Sequence, residues 1–119
     1  MLTDRRILLT GGAGFIGTAL ERRLLEHNDV VIYDNGHRNA LKDSGLPGHA
    51  NLRVIQGDVL DASGVREAIK GCRMVVHLAA IAGVDTVLRM PVTTMKVNLF
   101  GTYNVLEAAL AEGGIERFV

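Results

Sequence analysis

Thr10-Gly11-Gly12-Ala13-Gly14-Phe15-Ile16-Gly17 is the stretch on which the reading of this chain turns. Gly11, Gly14 and Gly17 fall on a G-x-x-G-x-x-G frame, with Gly12 beside the first. The segments on either side differ in period. Before the octet, Arg6 to Thr10 is a short continuous apolar run ending at glycine, as a strand buried on both faces would. After it, Ile16, Leu20 and Leu24 form an apolar stripe over Phe15 to His27, while Glu21, Arg22, Arg23 and Glu26 fall on other faces. That spacing predicts an amphipathic helix. Val30 to Tyr33 is a second apolar run, closed by Asp34. Glycines alone mark only a tight turn. A strand before them, a helix after them and a second strand ending in an acid make a dinucleotide-binding fingerprint.

Each part of that fingerprint has a mechanical role. The first glycine permits a sharp exit from the strand, Gly14 lets the backbone approach a pyrophosphate, and Gly17 lets the helix pack close to the sheet. Free N–H groups and the positive dipole end of the helix starting near Phe15 then face the phosphates. Asp34 follows Gly11 by 23 residues, near the spacing of about 20 residues for a ribose-binding acid. Its carboxylate can accept from both ribose hydroxyls and would repel a 2′-phosphate, which favours NAD over NADP. Arg38 could pair such a phosphate, but reads better as a solvated loop residue.

Further along, Asn35 to Asn51 is polar, holds three glycines and Pro47, and reads mainly as loop. Leu52 to Gln56 is a third strand. Asp61 can cap a helix through Lys70, with Val65, Ala68 and Ile69 inward and Gly71 as its stop. Met74 to Leu78 is a fourth strand. Pro91 opens a long helix to about Ala111, in which Met95, Leu99, Tyr103, Leu106 and Leu110 keep helical spacing. Glu116 to Val119 begins a fifth strand. The alternation predicts an α/β fold: a Rossmann-type parallel sheet with right-handed crossovers and strand order 3-2-1-4-5.

Bulk properties narrow the class. With 119 residues the chain is one domain at most, and 48% apolar with 22% charged residues is globular. A formal net charge of zero, with both signs interspersed, argues against a nucleic-acid partner or an anionic membrane surface. The single cysteine, Cys72, permits no intrachain disulfide and fits a reducing compartment. The apolar run near the N-terminus is too short for a signal-peptide core, and Met74 to Val84 is far below membrane-spanning length. A cytoplasmic protein is expected. His27, His37 and His49 lack metal-ligand spacing. His77 lies inside an apolar strand and reads as a satisfied core histidine. Cys72 has no activating neighbour and reads as inert.

Several ordered motifs carry a resemblance. TGGAGFIG (Thr10–Gly17), YDN (Tyr33–Asn35), GDV (Gly57–Val59), HLAA (His77–Ala80) and NLFGTYNVLEAA (Asn98–Ala109) resemble the N-terminal part of the NAD-dependent epimerase/dehydratase family. These are the extended short-chain dehydrogenase/reductases, and the likeness extends over essentially all 119 residues. It implies that residues 1–119 are an NAD-binding domain. Gly11, Gly14, Phe15, Ile16 and Gly17 would line the pyrophosphate, with Asp34 and Asn35 at the adenosine ribose. Asp58 and Val59 would sit at the adenine edge. Leu78, Ala79, Ala80 and Ile81 would run beneath the cofactor, and Asn98 would reach it from the long helix.

The same resemblance implies what to look for elsewhere. Family members work with a Ser or Thr and a Tyr-x-x-x-Lys pair downstream of strand five. Here the fourth residues after Tyr33 and Tyr103 are His37 and Glu107, so neither tyrosine starts that motif. The chain is therefore expected to be a truncated, catalytically incompetent portion of a nucleotide-sugar epimerase or dehydratase. Its expected partners are NAD, a nucleotide-sugar substrate in the full-length family, and a second copy through the 91–111 helix or the strand-five edge. Two alternatives stand beside this reading: a non-catalytic dinucleotide-sensing module, and a structural remnant that binds NAD poorly.

Overall fold

The structure is a computed structural model describing residues Met1–Val119. Its strands are β1 (Arg6–Thr10), β2 (Asp29–Asp34), β3 (Leu52–Gln56), β4 (Met74–His77) and β5 (Arg117–Phe118). They form one sheet, parallel throughout, in the order β3-β2-β1-β4-β5. The expected strand order is the observed one. The helices are α1 (Phe15–Leu24), α2 (Ala62–Ile69), α3 (Val84–Arg89), α4 (Pro91–Lys96) and α5 (Thr102–Glu112).

Alternation along the strands divides the core into two layers. Leu8, Val31, Tyr33 and Val75 face α2 and α5, meeting Val65, Ala68, Ile69, Val105, Ala108 and Ala109. Ile7, Leu9, Val30 and Ile32 face the other way, where α1 adds Leu20 and Leu24 and the chain just beyond it adds Leu25. Burial on both faces is why β1 reads as one unbroken apolar run. In register, Thr10 pairs Tyr33 on one side and His77 on the other. The carboxyl ends of β1, β2 and β4 therefore lie side by side.

Helix α1 ends at Leu24, before the expected His27. Asn28 terminates it: the buried amide donates to the carbonyls of Leu24 and Leu2, each at 3.0 Å, and accepts from the Arg5 N–H at 3.1 Å. Strand β4 stops one residue early, although Leu78 N–H still bonds to Thr10 O at 2.9 Å. The loop from Asn35 to Asn51 contains one short 3-10 turn, Leu41–Asp43, which inserts Leu41 into the core. Val84–Arg89 adds a short helix beyond the expected elements.

Two expectations about helix faces need correction. Ile16 is 66% exposed and Glu21 is 0% exposed, so the buried side of α1 carries Gly17, Thr18 and Glu21 at its start. The first turn of this helix packs on the glycine loop, and large side chains there have nowhere inward to go. The expected helix over 91–111 is also interrupted: α4 and α5 are joined by a π-helical turn, Val97–Gly101. Met95, Leu99, Tyr103, Leu106 and Leu110 face outward, while Thr94, Gly101, Val105, Ala108 and Ala109 are buried. Small residues let this helix lie close to α2 and the sheet; spacing alone shows that a stripe exists, not which side it covers.

Candidate functional site

The octet forms the turn between β1 and α1. Gly11 sits at φ +68°, and a Cβ there would lie 2.7 Å from the backbone nitrogen of Ala79. Only glycine serves, both for its dihedral and because the turns after β1 and β4 touch at this point. Gly17 is required for another reason: its Cβ would strike the Gly12 carbonyl. It thus closes the helix onto the loop, rather than onto the sheet as the spacing suggested.

Gly14 is the N-cap of α1 and offers no side-chain cap. The N–H groups of Phe15, Ile16 and Gly17 bond to no acceptor in the chain. A Ser or Asp cap would satisfy part of this first turn. A glycine cap leaves it open, and a Cβ on Gly14 would meet only the Gly11 carbonyl, at 3.3 Å. A helix N-terminus with free donors and little side-chain bulk is suited to a phosphate group.

Asp34 is fixed beside this opening. Its Oδ2 accepts the Ala13 N–H at 3.1 Å and its Oδ1 accepts the Gly36 N–H at 2.7 Å. The carboxylate is thereby tied to the loop, beside the open first turn of α1. Asn35 is exposed and accepts the His37 N–H at 2.9 Å. Asp58 is exposed, accepts the Leu60 N–H at 2.8 Å, and its carbonyl accepts the buried Tyr33 hydroxyl at 3.0 Å. Val59 is buried against Gly101, and its carbonyl accepts from Asn104 at 2.9 Å. It offers backbone, not side chain, to this edge.

On the opposite side the turn after β4 is held by Asn98. Its Oδ1 accepts the Ile81 N–H at 2.7 Å, and its Nδ2 donates to the Ile81 carbonyl at 3.0 Å. Asn98 thus grips the backbone of the segment Leu78–Ile81. Beneath it runs a polar chain that the sequence did not reveal. Thr102 Oγ1 gives its proton to the Asn98 carbonyl at 2.6 Å, so it accepts from His77 Nε2–H at 2.9 Å. His77 Nδ1 then accepts the Thr10 hydroxyl at 2.6 Å. Burial holds His77 below its ordinary value, as a neutral ring with both nitrogens partnered. The histidine is satisfied, as expected, but it is half-buried at the end of β4 rather than in the core. The signal for the chain lay in Thr10 and His77, polar residues at the ends of apolar strands.

Glu21 is the other residue missed. Its carboxyl is fully buried behind the loop, with no hydrogen-bond partner for either oxygen. Burial, and then the charge of Asp34, push it up to about 7. Cys72 is buried and free, and burial pushes its thiol up to about 11, which agrees with the inert thiol expected.

The model of the NAD dependent epimerase/dehydratase family matches residues 7–119, and the chain belongs to that family. The chain is 38% identical over 108 residues to a UDP-N-acetyl-alpha-D-glucosaminuronate decarboxylase of Bacillus cytotoxicus, covering 89% of this chain and 33% of the relative. It is 37% identical over 115 residues to a dTDP-glucose 4,6-dehydratase of Mycobacterium tuberculosis, covering 91% and 34%. Among solved structures, a UDP-N-acetylglucosamine 4-epimerase from Methanobrevibacter ruminantium, in complex with UDP-N-acetylmuramic acid, superposes with a TM-score of 0.90 at 29% identity. The superposition covers 98% of this chain and 37% of that one. A Thermus thermophilus UDP-glucose 4-epimerase in complex with NAD gives 0.81 at 33% identity, over 95% and 36%. The chain thus spans about a third of the length of the relatives it matches.

Proposed function

We propose that this chain is the NAD-binding portion of a nucleotide-sugar epimerase or dehydratase. The observation that carries the reading is the open first turn of α1 with Asp34 fixed beside it. Phe15, Ile16 and Gly17 would hold the pyrophosphate through backbone N–H groups, and Asp34 and Asn35 the adenosine ribose. Asp58 and the Val59 backbone would face the adenine. Leu78 to Ile81 would form the floor, kept in place by Asn98. When bound, NAD supplies a hydride acceptor that returns the hydride within one catalytic cycle. The residues of this chain orient it and contribute no acid or base, since neither tyrosine stands four residues before a lysine. The 119 residues on their own are catalytically incompetent in this reading.

Replacing Asp34 by Ala tests the ribose assignment. Calorimetry is expected to show NAD affinity weakened roughly tenfold or more, the loss of a charge-assisted hydrogen bond. Unchanged affinity would remove Asp34 from the site.

The outer face of α3 to α5 supports a second copy as partner. Leu88, Val92, Met95, Leu99, Tyr103 and Leu110 are each more than half exposed there, a larger apolar display than isolated surface residues account for. The lone reduced, buried cysteine supports a cytoplasmic location. No helix is long and apolar enough to cross a membrane.

A further inference from the structure

Glu21 is the only Asp, Glu, Lys, Arg or His in the buried set of the chain. A carboxyl in that position must be neutral, partnered or costly, and neither of its oxygens has a hydrogen-bond partner. Its place is specific. A Cβ on Gly12 would lie 3.0 Å from Glu21 Oε1, so the acid stands directly behind the glycine loop. The same loop forms the phosphate cradle proposed above.

The charged groups around it are few. The loop itself has no titratable side chain. Strand β2 contributes Asp34 at the near end and Asp29 at the far end, and only Asp34 acts on Glu21. The turn at Leu41, bonded through backbone to Ala13, carries Lys42 and Asp43, both exposed. On α1, Arg22 reaches away to the Ser44 carbonyl at 2.7 Å, and Arg23 is exposed. No cation compensates the acid.

We propose that Glu21 takes up a proton when a dinucleotide enters the cradle, so that NAD affinity falls as pH rises. The proposal rests on the dinucleotide reading. A pyrophosphate would add two negative charges at the same loop and displace water from it. Both effects disfavour an ionised Glu21. At low pH the acid is already neutral and binding costs nothing extra. Above its midpoint each binding event must bring a proton, weakening affinity by up to about tenfold per pH unit.

Calorimetric titration of the chain with NAD at pH 6, 7 and 8, in buffer pairs of different ionisation enthalpy, tests this. With a midpoint of about 7 in the free chain, the dissociation constant should rise about tenfold from pH 6 to pH 8. Proton uptake should approach one per NAD at pH 8. Glu21→Gln and Glu21→Met should each remove the uptake and flatten the profile. In the wild-type chain, which needs no variant to fold, the carbon-13 signal of the Glu21 carboxyl should titrate at higher pH with NAD than without. A flat wild-type profile, uptake that persists in the variants, or a Glu21 midpoint unmoved by NAD would each overturn the proposal. Absence of NAD binding at every pH would overturn the dinucleotide reading itself, and this proposal with it.

Discussion

At Gly17 a single methyl group would meet the Gly12 carbonyl, and at Gly11 it would meet the backbone of Ala79. Neither neighbour is a flexible side chain that can step aside. Gly17→Ala is therefore expected to cost about 2 kcal/mol or more, read as a lower midpoint in thermal unfolding; an unchanged midpoint would mean that loop and helix are not in contact. Glu21 and His77 give stability opposite slopes with pH. The folded-state value of Glu21, about 7, lies above its ordinary 4.5. The folded chain therefore holds a proton that the unfolded chain releases across that window. Its contribution is complete below the lower value and declines by about 3 kcal/mol as pH rises to the upper. His77 lies below its ordinary 6.5, so its contribution is lost as pH falls below that value. Denaturant unfolding at pH 5 and pH 8 checks the first slope: Glu21→Met should gain stability at pH 8 far more than at pH 5.

The π-helical turn at Val97–Gly101 and the Asn98 grip on Ile81 belong together, because the extra residue in that turn is where the helix presents Asn98 to the β4 turn. Asn98→Leu should remove both hydrogen bonds and leave the Ile81 amide and carbonyl without their partner. The expected cost is about 1–3 kcal/mol, with faster hydrogen exchange at Ile81; unchanged exchange would show that another contact holds the turn. Strands, their order and the glycine loop were legible in the sequence because period and glycine spacing are local properties. The helix interruption was not, because its one glycine, Gly101, stands at the end of the π-helical turn, and a single glycine inside a helical pattern does not by itself announce a break. The inward face of α5 was also hidden: Val105, Ala108 and Ala109 are less apolar in bulk than the stripe they displace, and closeness of approach decided between them. Glu21 was misread because amphipathic spacing assigns charge to solvent, whereas here the glycine loop covers it.

Across the whole molecule, one end of the sheet carries the cradle and one helical flank carries uncovered apolar surface. Pairing of that flank with a second copy predicts a dimer in sedimentation equilibrium at tens of micromolar. The double substitution Leu99→Glu, Leu110→Glu should return it to monomer with the cradle intact; a wild-type monomer at high concentration would reject the pairing. The family match covers residues 7–119, and NAD is what these residues are proposed to hold. Nitrogen-15 NMR of the chain, titrated with NAD, tests it most directly. The account predicts the largest amide shifts at Gly14, Phe15, Ile16 and Gly17. Asp34, Asn35, Asp58 and Ala79 to Ile81 should follow, with the outer face of α5 unmoved. No shifts at millimolar NAD, or shifts confined to residues away from the octet, would contradict it.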